Sequence, residues 1–270
     1  MIKTNFIEVF RESEQESDRF RNSEPSKQFD FKVLIISITV AFSLTIFRYC
    51  SSYKNSILFL KNFFDVQWVL KINDIFETGQ FAQLFRLSHW FLILSICYIF
   101  IPIFTIKFFF KDSLKKYGLS FKNSLKDYKI YLLLIALIIP IVFAVSYTKS
   151  FQATYPFYKL KHNEPIDIKF LIWELEYLAH FFAVEFFFRG FIIHGLKHRF
   201  GYYSVFVLII PYCMIHFSKP MPETIAAIIA GFILGTLSLK SRNIYLGFFI
   251  HCSVAITMDL CALWQKGLLI

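Results

Sequence analysis

Glu185, His216 and His251 are three residues, far apart in the chain, whose side chains suit acid–base hydrolysis or metal binding. Each stands in or beside a long apolar stretch, where an ionisable group is costly and marks either a function or a buried pair. Glu185 lies in HFFAVEFFFRGFIIHGLKHRF, four residues before Arg189. On a helix that spacing puts acid and base on one face, in the order that favours pairing. Such a pair lets Arg189 stay buried and fixes the carboxylate. His216 follows PYCMI, and His251 lies in NIYLGFFIHCSV.

Depth arithmetic brings the three together. If the helix carrying Glu185 continues to about His198, Glu185 lies ~21 Å from the basic end at Arg199, at 1.5 Å per residue. His216 lies ~22 Å beyond Gly201 by the same rule. His251 lies ~14 Å beyond Arg242, and a modest tilt brings it level. Two chemistries are open to such a set. Glu185, His216 and His251 are normal zinc ligands, with Glu223 or Asp259 as further ligands or as acceptors behind them. Without a metal, Glu185 and His216 polarise water while His251 stabilises the oxyanion. Either route hydrolyses a carbonyl compound. The sequence has no H-E-x-x-H pair and no G-x-S-x-G elbow. Upstream, Glu174 lies about three turns before Glu185 and faces the same way, whereas Glu176 and His180 point elsewhere.

The elements that must position these residues are membrane spans. The chain has 270 residues, 56% hydrophobic and only 18% charged, with 36 phenylalanines. Long stretches carry no charge at all, which excludes a soluble α/β enzyme and predicts an all-α, polytopic transmembrane helix bundle. The expected spans cover 33–47, 87–106, 130–148, 170 to about 198, 201–218, 224–239 and 243–258. That makes about seven, with eight as the alternative count, and the stretch to Ile270 can extend the last of them. Pro140 stands inside the third, where it can bend the helix. Residues 51–86 alternate apolar and charged, as an amphipathic segment at the interface does. Gly231 and Gly235 form a G-x-x-x-G spacing that permits close helix contact. Residues 1–32 read as a polar cytoplasmic tail, and 33–270 as a single transmembrane domain.

The net charge of +10 comes from basic residues clustered between the spans. That is the pattern of loops at an anionic leaflet, not of a nucleic-acid-binding protein. The loop 107–129 holds seven lysines and two aspartates. Placing it in the cytoplasm puts the N-terminus, Lys197–Arg199 and Lys240–Arg242 on the same side. None of the five cysteines forms a C-x-x-C pair, and they read as small buried hydrophobes.

The run Glu185-Phe-Phe-Phe-Arg189-Gly190, then Tyr212-x-x-x-His216, then His251 in a late helix resembles the CAAX-protease and bacteriocin-processing (CPBP, or Abi) intramembrane protease family. The resemblance covers roughly residues 125–260. It implies an all-helical membrane bundle with an interior active site, and motif roles for Glu185, Arg189, His216 and His251. It also implies a membrane-associated protein or peptide as substrate, since family members trim prenylated proteins or are tied to bacteriocin maturation and self-immunity. An integral protein of a bacterial inner membrane fits that picture.

Two positions depart from the family pattern. The glutamate that usually precedes the motif acid, and is usually assigned to water activation, is Val184 here. The Asn or Asp usually found four residues after the last histidine is Ala255. Valine takes no proton and alanine donates no hydrogen bond, so those roles do not carry over. The run HFSKPMPET, then GFILG and Met258-Asp259, looks like a divergent bacterial subgroup with a rearranged site. In that case Glu185 does the base work, helped by Glu223 or Asp259. A catalytically inactive immunity or regulatory protein, and a transporter with a buried ion site, are the alternatives. No inverted repeat supports the transporter.

Overall fold

The computed structural model describes residues 6–23, 29–122, 124–125, 127–160 and 166–269. Of the stretch expected to form a polar tail, residues 1–5 and 24–28 lie outside these. Among the described residues the chain is entirely helical, with no strand. In chain order the helices are α1 (Phe6–Arg21), α2 (Phe31–Cys50), α3 (Tyr53–Leu60), α4 (Val66–Glu77) and α5 (Ala82–Phe109). Then follow α6 (Tyr128–Ser146), α7 (Lys149–Thr154), α8 (Ile168–Phe200), α9 (Tyr203–Met214), α10 (Met221–Ser241) and α11 (Tyr245–Gln265).

Six of these, α2, α5, α6, α8, α10 and α11, are long and apolar enough to cross a bilayer. The fifth expected span, 201–218, falls short. Its helix α9 has 12 residues, about 18 Å against a hydrocarbon core of about 30 Å. The chain leaves it through tight turns, with His216 N–H on Cys213 O and Phe217 N–H on Met214 O. Two prolines, Pro220 and Pro222, follow and start α10. Residues 51–86, expected at the interface, form the short helices α3 and α4 and the start of α5. Pro140 sits within a continuous α6.

Helix α8 is the central element. The Asp167 carboxylate caps it by accepting from the N–H groups of Lys169 and Phe170, and Gly201, at φ +53°, ends it. As the sequence predicts, it runs on past Arg189 to Phe200. From Phe186 to Ile193 its backbone opens into π-helical turns, and all eight residues there are buried. Their sequence, FFFRGFII, is apolar all round apart from Arg189, whose charge is paired inside, so no face of this stretch can be turned outward without loss. Helix α11 packs against α6 and α8, and α5 packs against α8. Helix α9 packs on α10 at the G-x-x-x-G pair. A Cβ on Gly235 would stand 2.9 Å from Val205 Cγ1, and one on Gly231 would stand 3.2 Å from Tyr212 Cδ1. That is the close approach the glycine spacing predicts.

The basic connections gather at one end of the bundle, where α1 is clamped across them. Ser17 Oγ donates to Arg199 O at 2.9 Å, and Glu16 pairs with Lys197 and Arg242. Phe10 stacks on Tyr202. At the same end His198 meets Asp30, Lys32 meets Asp112, and Lys240 meets Asp127.

Candidate active site

The site is built on the α8–α11 interface. Glu185, 1% exposed, closes the α-helical part of α8 just before the π turns. Its Oε1 lies 3.1 Å from Arg189 Nη1, one turn on, and 3.1 Å from Nε2 of His251 on α11. The i,i+4 pair read from the sequence is therefore present and fully buried. Its oxygens are so close to α11 because residue 247 has no side chain. A Cβ on Gly247 would stand 2.3 Å from Glu185 Oε2. His251 is the more open partner, with 17% of its side chain exposed, and its ring stacks on Phe181 at 5.3 Å with the planes 1° apart.

Arg189 connects this pair to α9. Its guanidinium carbon lies 4.1 Å from the centre of the Tyr212 ring, a cation–π contact in a dry environment. Tyr212 in turn holds His216, since its carbonyl accepts from His216 Nδ1–H at 2.7 Å and the two rings meet edge to face at 4.9 Å. His251, Glu185, Arg189, Tyr212 and His216 thus form one continuous line of contacts across three helices. Glu185 touches both Arg189 and His251 directly. His216 joins them through Tyr212, which the sequence marks only as the residue four before His216 in the motif. His180 faces inward as well, with its ring between Tyr177 and Phe181 and its Nδ1 bonded to the Tyr177 carbonyl. Glu176 bonds Ser88 on α5 instead.

Val184 and Ala255, the two positions that depart from the family pattern, are packed into apolar clusters. Val184 lies among Phe186, Phe187 and Phe188, and Ala255 lies near Trp173 and Tyr177.

The further candidates lie elsewhere. Glu223 accepts from the Tyr155 hydroxyl at 2.9 Å and lies 3.5 Å from Lys219 Nζ. Burial pushes the Lys219 ammonium below its usual range, against the pull of Glu223. Burial, with Glu223 beside it, drives the Tyr155 phenol far up. Asp259 sits against Glu174, not against Glu185. The donor set does not fit a zinc ion. Among the described residues no three His, Cys, Asp or Glu side chains converge as ligands, and Glu185 Oε1 already faces a guanidinium.

Comparison with known proteins finds a likeness over one part of the chain. No curated protein and no solved structure matches it. Residues 168–257 match the family model described as type II CAAX prenyl endopeptidase Rce1-like. The matched stretch begins with α8 and ends inside α11, so it contains Glu185, Arg189, Tyr212, His216, Gly247 and His251 and stops short of Asp259. Over these residues the chain is similar to CAAX-type intramembrane proteases.

Proposed function

We propose that the protein is an intramembrane endopeptidase that hydrolyses a peptide bond of a membrane-associated protein or peptide. The observation that carries this reading is the buried contact of Glu185 Oε1 with His251 Nε2, held by Arg189 inside the helix bundle. A carboxylate on Nε2 keeps the proton there and leaves Nδ1 as the basic nitrogen. His251 then takes a proton from the attacking water and delivers it to the leaving nitrogen, while Glu185 stabilises the imidazolium formed between these steps. His216, whose Nδ1 is occupied by the Tyr212 carbonyl, offers Nε2 to the developing oxyanion. This allocation reverses the two histidines relative to the sequence expectation, because the acid touches His251 and reaches His216 only through Arg189 and Tyr212. It needs no metal.

Helices α8 and α11 cross the membrane, so the substrate is one that reaches them from the bilayer. The clamped basic end, with α1, belongs on the cytoplasmic side of a bacterial inner membrane in this reading. The test is cleavage of membrane peptides by the purified protein in bilayers. Glu185→Ala and His251→Ala should each abolish turnover, and His216→Ala should reduce it strongly. Undiminished cleavage by both Glu185→Ala and His251→Ala sinks the mechanism.

A specific observation favours a second reading, a non-catalytic immunity or regulatory protein. Val184 and Ala255 replace polar family residues and are sealed in apolar clusters. In that case the wild type cleaves nothing, and the same substitutions act only on folding or partner binding.

A further inference from the structure

Helices α8 and α11 meet at a second polar contact. Glu174 of α8 and Asp259 of α11 face each other within hydrogen-bonding reach. Asp259 is 3% exposed. Neither of its oxygens, nor Oε1 of Glu174, receives a hydrogen bond from any N–H or O–H among the described residues. Glu174 is half-buried. Two ionised carboxylates in contact, one of them buried, repel strongly, and only a proton on one of them turns the contact into a bond.

The cations that face the pair are engaged elsewhere. Lys219 bonds the Tyr155 hydroxyl at 2.7 Å and lies near Glu223 of α10. Lys266, just past α11, donates to the Tyr155 carbonyl at 2.6 Å. Lys159 donates to the carbonyls of Ala153 and Thr154. From α8 itself the fully buried Tyr177 faces the pair. The pairing of 185 with 251 and of 174 with 259 shows that α8 and α11 run antiparallel. It also sets the two polar contacts roughly 12–16 Å apart along the helices, by the rise per residue. His180 stands near both His251 and Lys219 along that seam.

We propose that Glu174 and Asp259 share one proton and serve as the proton store of the Glu185–His251 site. The proposal rests on the hydrolase reading for its use and on the carboxyl contact for its existence. Hydrolysis of an amide by water yields a carboxylic acid and an amine, which at neutral pH end as carboxylate and ammonium. One proton must therefore pass from the first product to the second. The pair takes up the proton of the acid and returns one to the amine, and is left as it began. Glu174 and Asp259 are positioning and proton-holding residues here and do not touch the substrate.

Infrared spectroscopy of the whole protein in bilayers tests the pair directly. At neutral pH the wild type should show the C=O band of one buried protonated carboxyl. Asp259→Asn and Glu174→Gln should each lose it, because an amide N–H then satisfies the remaining carboxylate. Asp259→Glu, which keeps a carboxyl pair, should keep the band. Absence of the band in the wild type, or its survival in both amide variants, overturns the proposal. In the cleavage assay the amide variants should move one limb of the pH–rate profile by about one pH unit or more while KM changes little. A band that behaves as expected with superimposable pH profiles overturns the role as a store. If the wild type cleaves no substrate, the hydrolase reading falls by itself. The pair is then decided by the band and by its pH midpoint in Glu185→Gln, and a midpoint that does not move overturns the link between the two contacts.

Discussion

Replacing Gly247 by alanine probes the site with a single methyl group. In an ordinary helix interior that change is stabilising, by up to about 1 kcal/mol, because alanine is the better helix former. Here the new Cβ would stand 2.3 Å from Glu185 Oε2 and 2.9 Å from its Cδ. A free glutamate would swing away at little cost. This one is held through Oε1 by Arg189 and His251, both at 3.1 Å, so moving it breaks a buried ion pair or pushes α11 outward. Overpacking of this kind costs about 1–3 kcal/mol. Set against the propensity gain, Gly247→Ala should be destabilising by up to about 2 kcal/mol. In a Glu185→Ala background the obstacle is gone and the same change should be neutral or stabilising. The coupling between positions 185 and 247 is then about 1–3 kcal/mol, well above the few tenths by which independent sites fail to add. The assay is denaturant or thermal unfolding of the four proteins in one detergent, with cleavage measured alongside. If Gly247→Ala has the same effect in both backgrounds, the carboxylate does not occupy the place described and the reasoning fails.

Three further outcomes follow from other contacts. Arg189→Met leaves Glu185 buried without its guanidinium and should cost about 3–5 kcal/mol in unfolding experiments. Most of that should return in the double variant with Glu185→Gln. A leucine at Gly235 meets Val205 and Ile193 within about a van der Waals contact of the backbone and should separate α9 from α10, read as a fall in melting temperature equivalent to about 1–3 kcal/mol. Burial lowers the ammonium pKa of Lys219, and also those of Lys159 and Lys266. Over the window below the unfolded lysine value the unfolded chain then binds more protons, so stability rises with pH toward about 10.4. Lys219→Met should flatten that rise, and an equally steep curve in the variant would exclude Lys219 as a contributor.

Much of this arrangement can be read from residue types alone. Uncharged runs bounded by lysine and arginine locate the long helices, and the spacing of Glu185 and Arg189 gives the buried ion pair. Counting residues from the basic ends brings Glu185 and His216 to a common depth, but it leaves His251, the histidine that Glu185 touches, more than one turn shallower. What escapes is whatever depends on a partner across space. Hydropathy does not distinguish the 12-residue α9 from a full span, because the apolar run continues to Ile215 and only the turns at Cys213–Phe217 end the helix. Tyr212 enters the sequence only as the residue four before His216, and nothing there tells that its ring takes Arg189. Gly247 reads as a weak point of a helix until Glu185 is found in the space it leaves. Asp259 and Glu223 stand near the histidines in sequence, yet their helices carry them to Glu174 and to Tyr155.

The widened turns from Phe186 to Ile193 affect how this chain can be compared with others. A regular α-helix advances about 100° per residue, so one residue absorbed into a wider turn swings everything beyond it by more than a quarter of a revolution. A relative whose helix stays regular here would present a different set of side chains to α9 after this point, even with an identical sequence. Deleting one residue within the stretch would therefore do more than shorten it: His194 and Gly195 would be rotated off the neighbours they now touch, while Glu185, ahead of the wide turns, would keep its bearing.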